Sequence, residues 1–204
     1  MEARLWVGWK WVAGAVLVMA AASTTKGEEK EWSRAYRTEV HPIVQVLSGD
    51  ETTGYDGPIK LETGTTPVFG AGMGLNLSDY LNVNTEFLMG RMDTVQSMPL
   101  VPGTEESRGL NTWLWDINLD YNILKGRLAP LVTGGVGLMN FHNHDENRDE
   151  THFSYNLGVG ARWDITDRIA LRVIYRALWT TKLEEAGDPF QFDCVAANLI
   201  FMFK

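Results

Sequence analysis

The chain has 204 residues, 18 basic and 26 acidic, for a formal charge of −8; 45% are hydrophobic, 11% aromatic and 22% charged. That length suits one domain of roughly 100–200 residues, and 20 glycines, seven prolines and eight tryptophans without a Gly-X-Y period exclude collagen and a disordered chain. The acidic balance argues against nucleic acid as a partner, and a lone cysteine, Cys194, permits neither an intramolecular disulfide nor a thiolate zinc cluster.

Arg4 and Lys10 precede a run of apolar and small residues, WVAGAVLVMAAA (11–22), ending in alanines that offer a small-residue cut after Ala22. The run is too short to span a bilayer as a helix, which takes about 20 apolar residues, and it has the layout of a secretory signal peptide over 1–22. Its removal deletes Glu2, Arg4 and Lys10 and leaves 16 basic and 25 acidic residues, a formal charge of −9. Residues 23–38 follow as an N-terminal periplasmic segment. No later window approaches 18 consecutive apolar residues, so any membrane crossing downstream is made by strands.

From residue 39 the dominant period is two, that of a strand with two unlike faces. After a weak first segment over 40–47, residues 68–77 set Phe69, Ala71, Met73, Leu75 and Leu77 against Gly70, Gly72, Gly74 and Asn76. Residues 80–90 oppose Leu81, Val83, Phe87 and Met89 to Asn82, Asn84 and Glu86, and 110–123 oppose Trp113, Trp115, Ile117, Leu119, Tyr121 and Ile123 to Asp116, Asn118 and Asp120. A glycine-rich segment, 128–140, comes next. Residues 153–163 then set Phe153, Tyr155, Leu157, Val159, Ala161 and Trp163 against Ser154, Asn156 and Arg162. In 169–179 the polar face carries Arg172 and Arg176, and 192–203 closes with Val195, Ala197, Leu199, Phe201 and Phe203 opposite Asn198.

The eight segments are joined alternately by tight turns (78–79, 124–127, 164–167) and by long polar stretches (48–66, 91–109, 142–152, 180–191). An up-and-down antiparallel barrel produces that alternation, because long loops gather at one end and short turns at the other. Period two alone fits a soluble, lipocalin-like barrel with its apolar stripe inside as well as a transmembrane barrel with that stripe outside. Two features favour the membrane arrangement: Trp113, Trp163, Tyr175, Trp179 and Phe203 near the ends of the stripes, and glycine and asparagine on the opposite face. The fold expected is all-β, an eight-stranded antiparallel up-and-down transmembrane β-barrel over 39–204 behind an N-terminal signal peptide.

The stretches FGAGMGLNLSDYLNVNTEF (69–87), LAPLVTGGVGL (128–138) and FSYNLGVGARWDITDRIALRVIYR (153–176), with a last strand ending Phe-Met-Phe, resemble the OmpA-like outer-membrane β-barrel family of bacteria. The resemblance implies residence in the outer membrane among lipid and lipopolysaccharide. It also implies recognition of the C-terminal strand by the barrel-assembly machinery through a terminal aromatic, although here Phe203 is followed by Lys204. Nothing like that family's peptidoglycan-binding domain follows the barrel, and no cofactor is implied.

With the apolar stripe in lipid, the inward set contains Glu86, Asp116 and Asp120 with Arg162, Arg172 and Arg176. Unpaired charges in a dry interior are costly, so these six should pair and hydrogen-bond with Asn82, Asn84 and Asn118. A barrel of eight strands is just wide enough for its own side chains to fill. The lumen is expected to be plugged, with a narrow, gated path for ions or small solutes as the alternative.

The segment FHNHDENRDETH (141–152) carries His142, His144, Asp145 and His152. It offers a possible cation contact, or a hydrated surface loop, since the spacing matches no closed zinc motif. His152-Phe153-Ser154 has the His-x-Ser spacing of PagL-type lipid A deacylases, and the glycine-rich strands look similar to theirs as well. Alternation turns Ser154 inward, however, and the stretch that holds the catalytic pair in those enzymes reads ALWTTKLEEAG (177–187) here, with neither His nor Ser. Catalysis is therefore not expected. The function expected is structural or surface contact: membrane integrity, adhesion or ligand contact through the long loops.

Overall fold

The computed structural model describes residues 33–49, 52–53, 60–63, 65–97, 106–143, 148–181 and 191–204. Eight long strands are β1 (Thr38–Gly49), β4 (Thr66–Asn76), β5 (Leu81–Ser97), β6 (Glu106–Asn122), β7 (Leu128–Asn143), β8 (Arg148–Asp164), β9 (Ile169–Thr180) and β10 (Gln191–Phe203). Two short pieces, β2 (Thr52–Thr53) and β3 (Lys60–Thr63), lie between β1 and β4, and β3 pairs with the far end of β5. Each long strand pairs antiparallel with its chain neighbours, and β1 pairs with β10 from Thr38↔Phe203 to Gly49↔Phe192, which closes the sheet into a barrel. The β1–β10 ladder skips His41 and Pro42, where proline has no N–H to contribute.

The alternation decides which face is inside. On β10, Phe192, Cys194, Ala196, Asn198, Ile200 and Met202 are buried, while Val195, Leu199, Phe201 and Phe203 are exposed. On β6, Asp116, Asn118 and Asp120 are buried and Trp115, Ile117, Leu119 and Tyr121 exposed. A soluble barrel would have these faces exchanged, because water would leave the buried carboxylates' partners and the exposed aromatics on the wrong sides. Aromatics on the outward face form two levels with cross-strand contacts: exposed Tyr80 with Tyr121 (6.5 Å between centroids) near the turns, and exposed Phe87 with half-buried Trp113 (6.2 Å) and exposed Tyr155 with half-buried Trp179 (5.4 Å) nearer the long connections. Phe153 to Trp163 on β8 runs about 33 Å along the strand at about 3.3 Å per residue, or about 25 Å of height at a tilt of about 40°. That is the height of a hydrocarbon band.

Several strands outrun the sequence expectation. The stretches 91–109 and 142–152, expected as long loops, are largely hairpin extensions: β5 continues to Ser97, β6 starts at Glu106, β7 continues to Asn143 and β8 starts at Arg148. The physical reason is that the ladder needs only backbone groups. In these stretches the sequence carries mostly polar residues without alternation, so the period-two signal is lost although pairing continues.

Inward glycines provide room for inward polar side chains. A Cβ at Gly137 would lie 2.1 Å from Asp116 Oδ1 and 2.2 Å from the Trp115 carbonyl, and one at Gly72 would lie 2.4 Å from His41 Nε2. At Gly134, by contrast, a Cβ would meet nothing closer than 3.7 Å. Gly137→Val is therefore expected to overpack the wall by about 1–3 kcal/mol and to lower the refolded fraction, read from the heat-dependent gel shift in detergent. Gly134→Ala should refold as the native chain does.

Candidate functional site

The lumen is stacked in three levels. At the turn end, Arg162 on β8 donates from Nη2 to Glu39 Oε1 (2.6 Å) and from Nε to Asp164 Oδ1 (2.9 Å). Asn76 and Asn82 add donors to the two oxygens of Glu39 at 2.6 and 3.3 Å. Asn84 links this level to the next, donating from Nδ2 to Asn82 Oδ1 (3.1 Å) and Asp120 Oδ2 (3.0 Å).

At mid-height Glu86 is the hub. Arg172 Nη2 lies 2.7 Å from its Oε1 and Arg176 Nη2 lies 2.6 Å from its Oε2, while Asn198 Nδ2 donates to Oε1 at 3.1 Å. Arg172 also donates to Asp120, and Arg176 to Gln45 Oε1 at 2.7 Å. His41 Nε2 sits 3.2 Å from Arg172 Nη2 and 3.5 Å from Glu86 Oε1. Asp116 is held more loosely, its Oδ2 4.0 Å from Arg176 Nη1. Every one of these ionic groups is buried, where paired charge-assisted bonds are strong and an orphaned charge is expensive.

Above the charges, toward the long connections, lies an apolar layer: Ile43, Leu47, Val68, Leu88, Met92, Leu114, Met139, Leu178, Phe192 and Cys194, with Phe141 packed against it. A smaller apolar group, Ala170, Ile200 and Met202, lies at the opposite end. The Cys194 thiol is one of the buried members of the upper layer.

The turn end is covered by the segment that precedes β1. Asp79, in the β4–β5 turn, accepts hydrogen bonds at its Oδ1 from Ser33 Oγ (2.6 Å), Arg34 N (2.8 Å) and Ala35 N (3.3 Å), and its Oδ2 lies 3.2 Å from Lys125 Nζ. Tyr36 reverses the chain with a positive φ of 61°, and its N–H donates to the Asn76 carbonyl (2.7 Å). Arg34, fully buried, thereby enters the lumen mouth, where it donates to the Gly126 carbonyl and lies 3.0 Å from Asp164 Oδ2.

An antiparallel closed barrel with an apolar exterior, aromatic levels and a paired polar interior matches one family along nearly its whole length: the outer membrane protein beta-barrel domain, over residues 12–203. The chain belongs to this family. It is a small barrel of the bacterial outer membrane. Among solved structures it is similar to outer membrane protein OprG from Pseudomonas aeruginosa, at 11% identity over 86% of this chain and 99% of that one, with a TM-score of 0.58. It is likewise similar to the Neisserial surface protein A, at 11% identity over 85% and 100% with a TM-score of 0.56. The N-terminal β-barrel domain of Pseudomonas aeruginosa OprF aligns at 12% identity over 82% and 98% with a TM-score of 0.50. At these identities the likeness is one of fold. No curated protein matches the sequence.

Within the outer-membrane barrel, Glu86, Asp120, Arg172 and Arg176 share one mid-lumen network with Asp116 at its edge, while Arg162 belongs to the lower network with Glu39. Sequence reasoning missed Arg34, Glu39, His41 and Asp164. Glu39 and His41 alternate with Val40 and Pro42: His41 lies inside the first segment, 40–47, and Glu39 one residue before it, while Asp164 opens the tight turn 164–167. Of the residues considered for a cation contact, His142 pairs in register with Asp149 and His152 with Met139, which puts the two histidines on opposite faces. His152 is buried, its ring 6.0 Å from that of Phe141. His144 and Asp145 lie outside the described residues, and among the described residues no group of three His, Cys, Asp or Glu side chains could hold a metal. Ser154 is fully buried on the lumen face.

Removing Arg172 would leave Glu86 with one guanidinium and Asp120 with none. Arg172→Gln should cost about 3–5 kcal/mol, the scale for breaking a buried pair from one side, measured by urea unfolding in lipid vesicles. The double variant Glu86→Gln with Arg172→Gln should recover part of that loss.

The latch under the barrel should respond to acid. Burial acts to raise the Asp79 carboxyl, but the hydrogen bonds from Ser33, Arg34, Lys125 and Ala35 outweigh it and hold the group below its ordinary value. A lowered folded value means that the latch is fully stabilised above the usual carboxylate range near pH 4 and loses that stability as pH falls through the folded value. Protection of the amides at Arg34–Arg37, taken relative to their intrinsic exchange rates, is expected to fall below about pH 4, and Asp79→Asn should leave it low and independent of pH across the same range.

Proposed function

We propose that this outer-membrane barrel is a closed scaffold whose contribution is structural and whose outer connections make contacts at the cell surface. The observation that carries the reading is the filling of the lumen: latch, paired charges and apolar layer follow one another along the barrel axis. A permeation path needs polar groups that solute can exchange with. Here the principal charges, Glu39 with Arg162 and Glu86 with Arg172 and Arg176, are engaged with each other, and an apolar layer stands above them.

The surface role follows from charge. The four connections 50–59, 98–105, 144–147 and 182–190 each contain acids, and Lys182 is their sole lysine or arginine. Such loops favour cationic ligands, or lipopolysaccharide phosphates through bridging divalent cations. One similar solved structure, that of Ail from Yersinia pestis, is described in complex with a heparin analogue, sucrose octasulfate; acidic connections argue for a different ligand chemistry in this chain. Assembly would proceed through recognition of β10, whose last aromatic is Phe203. The lumen-facing, buried Ser154 supports a non-enzymatic role, since a deacylase nucleophile must reach lipid.

The alternative is a narrow channel, suggested by inward charges of both signs. Single-channel recording in planar bilayers separates the two, with folding and insertion verified by the heat-dependent gel shift. Silence from inserted, folded protein is expected. Stable conductance steps would overturn the closed-scaffold reading and make the Glu86, Arg172 and Arg176 level the first place to look for selectivity.

A further inference from the structure

Where the seam between first and last strands reaches the turn end, a groove of about 740 Å³ opens on the barrel exterior, lined by the cations Arg37, Arg168 and Lys204 and the apolar side chains Ile169, Phe201 and Phe203. Phe201 and Phe203 belong to the exposed, lipid-side face of β10. The backbone shapes the groove: the Arg168 carbonyl accepts the Met202 N–H (2.8 Å), which holds the β8–β9 turn against the strand end, and Arg37 Nη1 donates to the Asp167 carbonyl.

The side chains of this groove carry a net positive charge, three cations against the one carboxylate of Asp167. Asp167 also lines it, but its carboxylate is directed to Arg127, whose Nη2 lies 3.7 Å from Oδ1. Among the described residues no carboxylate lies within ion-pair distance of the side chains of Arg37, Arg168 or Lys204. Lys125, another cation of the rim, is already matched with Asp79. Cations at the level of the headgroups beside exposed aromatic and aliphatic side chains present, in one place, the two surfaces of an anionic amphiphile: a phosphate and an acyl chain.

We propose that this groove is a binding site for an anionic phospholipid of the periplasmic leaflet, its phosphate among Arg37, Arg168 and Lys204 and its acyl chain along Ile169, Phe201 and Phe203. The leaflet follows from the short turns of bacterial barrels facing the periplasm. Such a lipid bridges the residue that enters β1, the β8–β9 turn and the end of β10, and so ties from outside the place where the barrel closes.

The test is native mass spectrometry of the refolded full chain released from vesicles of mixed phosphatidylglycerol and phosphatidylcholine. The chain is expected to retain phosphatidylglycerol in preference, and Arg168→Gln to reduce that preference by about five-fold, the scale for one cation near a lipid surface. Arg37→Gln combined with Arg168→Gln should remove it, while Lys125→Gln should leave it unchanged. Arg168→Gln alone keeps the experiment decisive if the double variant does not fold, because the Arg168 side chain makes no contact in the barrel wall. Equal retention of the two lipids, or a preference unaffected by Arg168→Gln, would overturn the proposal. Displacement of the lipid by millimolar inorganic phosphate would overturn it too, by assigning the cations to free phosphate.

Discussion

Hydrocarbon offers no hydrogen-bond partner to a backbone, so a sheet placed in it cannot keep an edge. The pairing of β1 with β10, from Thr38↔Phe203 to Gly49↔Phe192, is therefore the contact on which everything else in this protein depends. Closing eight strands sets the width of the lumen, and that width admits side chains and little more. Once the exterior is given over to apolar residues, each inward polar group has to find its partner across the barrel, among residues far away in the chain. Glu86 meets arginines 86 and 90 residues later in sequence, and Arg162 meets a glutamate 123 residues earlier.

The order of layers along the axis has functional weight. A charged layer alone could rearrange to admit an ion, because buried pairs can exchange partners when both signs are present. The apolar layer above it has no such option, and the segment carrying Arg34 covers the other mouth. Inward glycines make the dense filling possible by yielding wall space to the side chains opposite, as Gly72 does for His41 and Gly137 for Asp116. On the outside of the barrel, cations gather beside Phe201 and Phe203 at the turn end, and the sequences of the long connections are rich in acids.

Alternation made much of the interior legible in advance. Glu86, Asp116, Asp120, Arg162, Arg172 and Arg176 stand out because each interrupts an apolar stripe at every second position. The upper apolar layer was not legible in the same way. Leu88 lies between Phe87 and Met89, Leu114 between Trp113 and Trp115, and Leu178 between Ala177 and Trp179. With both faces apolar the period vanishes, although a break in alternation at matching heights of several strands was itself a signal for a dry level. Arg34 gave no periodic signal at all, since it lies in a reversal and not in a strand. The hairpin extensions on β5, β6, β7 and β8 were hidden for a different reason: their sequences are mostly polar and carry no sustained alternation.

By itself the sequence determined the strand number, the tight turns, the membrane-facing stripe and the family, because each of these is a local pattern repeated along the chain and readable within about ten residues. Tertiary structure alone decided which inward acid meets which arginine, how the lumen divides into levels, that the N-terminal segment closes one mouth, and that cations flanking β1 and β10 and from the β8–β9 turn converge beside an apolar groove. These are meetings between distant parts of the chain, set by the stagger of strands around a closed ladder, and no local window contains that stagger.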